Sequence, residues 1–155
     1  MTEDRIIVKR VAWNKIVHGV DQLHYQISRG QFKPVGIVAV ARGGLVPATI
    51  LAHRLKLHKI ISIGLSSHKD GEMQGGEVVR YTDLPEAILL EQGQGWLVVD
   101  DIVDSANTMT YMRKLLPKAK TACLFQQIQA PLCDFWWYKV TGRNIWIKFP
   151  WEQTL

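Results

Sequence analysis

Trp13, Ile16, Val20, Leu23 and Ile27 recur at intervals of three and four, which predicts an amphipathic helix over residues 12–28. The next pattern is of another kind. VGIVAV (35–40) is short, unbroken and rich in Val and Ile, as in a strand covered on both faces. It stops at ARGG (41–44), and Pro47 falls in the first turn of a helix expected over 46–56, with Ile50, Leu51 and Leu55 on one side. KIISIGL (59–65) is a second buried strand. SSHKDGEMQGGE (66–77) is polar and glycine-rich with almost nothing to bury, so it reads as a mobile loop, and VVRY as a short strand leaving it. A weak helical stretch at 85–91 leads through QGQG to the strand WLVV (96–99). Residues 107–116 form a helix with Met109, Met112 and Leu116 inward, followed by the strand TACLFQ (121–126). FWWYKV (135–140) and IWIKF (145–149) close the chain as aromatic, strand-like segments.

Buried strands alternating with helices imply right-handed crossovers and an α/β fold, a central, mostly parallel sheet flanked by helices. No repeat, low-complexity tract or linker interrupts it, so residues 1–155 read as a single domain. A small hood is expected from the terminal segments, built from the N-terminal helix and the aromatic C-terminus.

Composition narrows the function. With 47% hydrophobic and 21% charged residues, the chain is an ordinary soluble globular protein. Its formal net charge of +5 favours an anionic partner such as a phosphorylated small molecule. The lysines and arginines are scattered, and no basic stripe interleaves with aromatics, so nucleic acid is not expected. No apolar run reaches the roughly 18 residues of a membrane span. Cys123 and Cys133 show neither metal-type spacing nor a disulfide framework. With no secretory signal at the N-terminus, they read as reduced thiols in a cytoplasmic protein.

Two strand ends carry unusual chemistry, at the place where open parallel sheets bind ligands. In VARGGLVP (40–47), paired glycines let backbone N–H groups approach an anion, and Arg42 supplies charge in the same turn. In GWLVVDDIVDSANTMTYM (95–112), Asp100 and Asp101 follow the apolar run. Past the last ladder bond, both are expected to reach solvent. Carboxylates there suit a hard cation or a sugar diol. Asp104 sits on the turn, and Ser105, Asn107 and Thr108 open a helix whose N-terminus suits a phosphate. Capping that helix requires one such residue, and six polar residues exceed the requirement.

VVDDIVDSANT resembles the phosphoribosyl-pyrophosphate motif of the type I phosphoribosyltransferases. ARGGLVP is similar to the pyrophosphate loop of the small bacterial xanthine-guanine and hypoxanthine-guanine enzymes, and WIKFPWE (146–152) to their purine-binding end. The three fall in the family's order along nearly the whole chain. The resemblance implies transfer of a 5-phosphoribosyl group from phosphoribosyl pyrophosphate to guanine, xanthine or hypoxanthine, a purine-salvage reaction. It implies that Asp100 and Asp101 hold the ribose hydroxyls and Mg²⁺, that Asp104 accepts a proton from the base, and that Ser105, Ala106, Asn107 and Thr108 hold the 5′-phosphate. Arg42, Gly43 and Gly44 would face pyrophosphate, with a cis peptide at Ala41–Arg42. Trp146 would stack on the purine, and the Ile147 backbone would meet its exocyclic group.

Three positions depart from the family's pattern. Ala106 stands where glycine is usual, and costs on the order of 1 kcal/mol if the turn needs positive φ. Gln127 stands where a lysine meets the purine's six-position oxygen, so the charge-assisted part of that bond is lost. The polar 66–77 loop, following a central strand, is the natural lid; His68 stands in it where a tyrosine is common, and it has no arginine before Arg80. A non-catalytic relative that binds a nucleotide or phosphorylated sugar is therefore the alternative. Retention of all three acids favours the enzyme. Aromatics near the C-terminus, Trp136, Trp137 and Tyr138 among them, point to packing or to a homodimer or homotetramer interface.

Overall fold

The structure, a computed structural model, describes residues 6–67, 77–127, 133–142 and 144–152. In chain order the elements are β1 (Ile7–Arg10), α1 (Trp13–Arg29), β2 (Gly36–Ala41), α2 (Leu45–Leu55), β3 (Ile60–Ser66), β4 (Val79–Arg80), α3 (Glu86–Leu90), β5 (Trp96–Val103), α4 (Asn107–Leu115), β6 (Lys120–Gln126), β7 (Phe135–Lys139) and β8 (Ile145–Lys148). Six strands form the central sheet in the order β4-β3-β2-β5-β6-β7. All neighbours are parallel except β4, which runs antiparallel to β3.

Each face of the sheet is covered because the strands are apolar on both. On one side Ile16, Val20, Leu23 and Ile27 of α1 and Ala48, Leu51 and Ala52 of α2 pack on Ile37, Ala39, Leu97 and Val99. On the other, Ile88 of α3 and Met109 and Met112 of α4 meet Val38, Val40, Ile63 and Val98. Burying each large aliphatic of these layers contributes about 1.5–3 kcal/mol. Helix α1 comes close enough to β7 that a Cβ at Gly19 would overlap the Trp137 ring. That glycine is a packing requirement.

The hood differs from expectation in its parts. Helix α1 belongs to the main layer, against α2, β6 and β7. Its place in the hood is taken by β1, which pairs in parallel with β8 in a separate two-stranded sheet. All four β1 residues are exposed, so no burial period announced the strand. FWWYKV likewise adds the edge strand β7 to the main sheet, alongside β6. Phe125 of β6 meets Trp137 and Phe149 edge-on, and Phe149 stacks on Trp151 at 4.7 Å and 6°. This run of rings joins the sheet to the C-terminal turn.

The strand order reverses between β2 and β5, the switch point at which open α/β sheets bind ligands. The expected lid at 66–77 falls mostly at 68–76, outside the described residues, as does His68. Of its ends, Ser66 closes β3 and Ser67 is buried. Among the described residues no helix is long and apolar enough to cross a membrane. Cys123 and Cys133 are both free and buried.

Candidate active site

Strands β2 and β5 pair only from Gly36–Trp96 to Ala39–Val99, while β5 continues beside β6 as far as Val103. The sheet therefore opens on one side of β5 immediately before its two acids. The turn after β2 folds into the gap. Gly44 donates its N–H to the Val40 carbonyl at 2.8 Å, and a Cβ there would lie 2.5 Å from the Val99 oxygen. Only glycine lets this turn rest on β5. The Ala41–Arg42 peptide is cis, as the resemblance implied, and the Arg42 side chain is exposed.

Asp100 and Asp101 do not lie past the last ladder bond. They lie within β5, Asp100 in register with Cys123, and only 8% and 7% of their surface is exposed. The expectation of solvated acids failed because Ile102 and Val103, two further apolar residues, keep the strand paired to β6. Asp100 Oδ1 accepts the Asp101 N–H at 2.8 Å, and Asp101 Oδ1 accepts the Ile102 N–H at 2.7 Å. Burial, with the neighbouring Asp101 carboxylate adding to it, pushes Asp100 well above the usual carboxylate range. Burial also pushes Asp101 up to about 6, with Glu152 adding to the rise and hydrogen bonds from Asp100 and Ile102 opposing it.

Adjacent buried acids of this kind bind a cation or share protons. As hard oxygen donors they fit Mg²⁺, which is held through one or two carboxylates with the ligand's phosphates and water completing its shell. Among the described residues no cluster of three or more ligating side chains exists, so the rest of the shell falls to the ligand.

The crevice encloses about 1030 Å³. Of the residues expected at a site, Arg42, Gly43, Asp100, Asp101, Asp104, Ser105, Ala106 and Thr108 line it. Ala106 occupies the left-handed region, φ 69° and ψ −7°, as the N-cap of α4. The backbone thus holds the glycine conformation with an alanine in it, at a cost of about 1 kcal/mol.

Five expected residues do not line this crevice. Gly44 is buried where the turn rests on β5, and Asn107 begins α4. Gln127 donates its side-chain amide to the Ile145 carbonyl at 3.0 Å, tying the end of β6 to the hood. The Ile147 side chain is buried in the core, while its backbone, the part expected at the base, runs along β8 beside Trp146. Trp146, its neighbour on β8, faces the opposite way and lines a second hollow of about 760 Å³ with Val8, Arg10, Lys148 and Glu152.

Glu152 lines both spaces, and neither it nor Trp151 and Tyr81 of the crevice wall was singled out in the sequence. Glu152 Oε2 accepts the Phe149 N–H at 3.0 Å, which turns the chain back at Pro150 and brings the acid toward Asp101. Pro-Trp-Glu after a strand was the available signal, a turn followed by an acid.

The sequence matches the phosphoribosyl transferase domain family over residues 11–155. The xanthine-guanine phosphoribosyltransferase of Chromohalobacter salexigens is 32% identical over 144 residues, spanning 92% of this chain and 83% of that one. Its counterpart in Idiomarina loihiensis is 33% identical over 146 residues, spanning 94% and 87%. Among solved structures, a purine phosphoribosyltransferase from Pyrococcus horikoshii aligns with a TM-score of 0.71 at 25% identity, over 97% of each chain.

Proposed function

The chain belongs to the phosphoribosyl transferase domain family, and from that premise we propose that it transfers the 5-phosphoribosyl group of phosphoribosyl pyrophosphate to a 6-oxopurine, releasing pyrophosphate. The observation that carries the reading is the convergence of Asp100, Asp101 and Asp104 with Ser105, Ala106 and Thr108 on one crevice at the β2–β5 switch point.

The anomeric C–O bond to pyrophosphate breaks as a purine imidazole nitrogen forms the new C–N bond. Positive charge develops on the ribose ring, as in other glycosyl transfers. Asp100 and Asp101 hold the ribose hydroxyls. The α4 N-terminus and Ser105 and Thr108 receive the 5′-phosphate, where N–H groups and the helix dipole favour negative charge. Arg42 and the Gly43 backbone, which line the crevice, orient the leaving pyrophosphate. When bound at Asp100 and Asp101, Mg²⁺ would neutralise charge accumulating on the pyrophosphate oxygens. Asp104 takes the proton that the attacking imidazole gives up. The purine lies against Trp146, whose hollow adjoins the crevice at Glu152.

A protein that only binds a phosphorylated sugar has no use for a proton acceptor on the crevice wall. Incubation with phosphoribosyl pyrophosphate, Mg²⁺ and guanine, xanthine, hypoxanthine or adenine, with nucleotides separated by chromatography, tests the reading. The 6-oxopurine monophosphates should form and the adenine product should not. No nucleotide with any base would refute the reading.

A further inference from the structure

The hood carries chemistry that phosphoribosyl transfer alone does not require. Strands β1 and β8 pair in the register Val8–Trp146 and Arg10–Lys148, and alternate residues of a strand share a face. All four line the second hollow, so an aliphatic side chain and an indole stand at one end and two cations at the other. Like charges placed opposite each other across a strand pair cost stability. Neither cation has a carboxylate in ion-pair range among the described residues. The one acid of the hollow, Glu152, stands on its crevice side with an oxygen engaged by the Phe149 N–H.

We propose that Arg10 and Lys148 are specificity-determining residues that favour xanthine over guanine and hypoxanthine. The assignment rests on the phosphoribosyl-transfer reading and deepens it. The exposed face of Trp146 and the Val8 side chain take a flat ring, as any π system allows. What distinguishes the three purines is the two-position. Guanidinium and ammonium groups are donors with no acceptor. The two-position oxygen of xanthine accepts from them, and the ring loses a proton near neutral pH, which strengthens the pairing. Guanine presents an amino group there, a donor facing donors, and hypoxanthine presents only C–H. Hydrogen bonds to charged donors are stronger than neutral ones, and an unmatched donor adds a penalty, so the ratio between bases should be large.

Pyrophosphate release with each base, for the native protein and for Arg10→Gln, Lys148→Gln and Lys148→Arg, tests the assignment. The native protein should favour xanthine over guanine in kcat/KM by roughly tenfold or more. Each Gln variant should lose most of that ratio, through a higher KM for xanthine and, because the amide oxygen can accept from the guanine amino group, a KM for guanine that is equal or lower, and Lys148→Arg should keep the ratio. Where a variant fails to fold, xanthosine and guanosine monophosphates are compared for binding to the native protein at low and high salt. Both should weaken with salt through the shared 5′-phosphate, and xanthosine monophosphate the more. Turnover of guanine without a preference for xanthine, or equal losses with both bases, overturns the assignment and leaves the transfer reading standing. Absence of pyrophosphate release with every base overturns both.

Discussion

Gly43 leaves open the space that the Asp101 carboxylate fills: a Cβ built at Gly43 would fall within that carboxylate. The turn after β2 and the acid of β5 are thus fitted to each other across the switch point. The obstacle to a larger residue is the end of a side chain, which can rotate. Gly43→Ala should therefore still fold, with a lower melting midpoint because turning Asp101 aside breaks its bond to the Ile102 N–H, and should displace Asp101 from the crevice. Turnover should fall by roughly tenfold or more, since a misplaced positioning group costs alignment. Full activity in the alanine variant would mean that the position of Asp101 is not critical.

Asp104 lies on the crevice wall just before the turn that starts α4. Asp104→Ala should lower kcat by roughly a hundredfold, the usual contribution of a positioned base, with the circular dichroism spectrum intact. A variant with native kcat would remove Asp104 from proton transfer.

Ala106 holds φ at 69°, a conformation that glycine adopts without cost. Ala106→Gly should raise stability by about 1 kcal/mol, seen as a higher urea midpoint with an unchanged m-value. A lower midpoint would show that the alanine methyl's packing beside α4 outweighs the backbone cost.

Asp134 gives the fold a dependence on acid. Partial burial works to raise its pKa, but hydrogen bonds from the Thr121 N–H at 2.8 Å and Thr121 Oγ1 at 3.0 Å, with Lys120 at 3.3 Å, hold it below the usual carboxylate range. A pKa lower in the folded state means stability that is present above the unfolded value, about 3.9, and lost as pH falls through the folded one. Asp134→Asn should thus be less stable by about 1 kcal/mol at neutral pH, with the gap closing in acid. A gap independent of pH would show that charge is not what Asp134 contributes.

Much of this was legible in the sequence where burial leaves a period. The α1 stripe, the two-sided strands β2 and β5 and the inward methionines of α4 were all read within a few residues of their ends. The acids and the 105–108 turn were likewise placed on one crevice. What escaped depended on tertiary pairing. Strand β1 has no buried residue to mark it. The depth of Asp100 and Asp101 followed from pairing of β5 to β6 beyond Val99, which a run of two carboxylates does not suggest. The bond from the Gln127 amide to the Ile145 carbonyl exists because β8 passes beside the end of β6. Glu152 reached the site through the turn at Pro150, a return of the chain that spacing along the sequence does not encode.

The central claim, that one crevice grips a phosphorylated pentose from two sides, is tested most directly by a crystal structure with phosphoribosyl pyrophosphate and Mg²⁺. The 5′-phosphate should lie against the first turn of α4, with the ribose diol at Asp100 and Asp101 and the pyrophosphate beside Arg42. A donor bound elsewhere, with residues 105–108 touching no phosphate, would contradict the account.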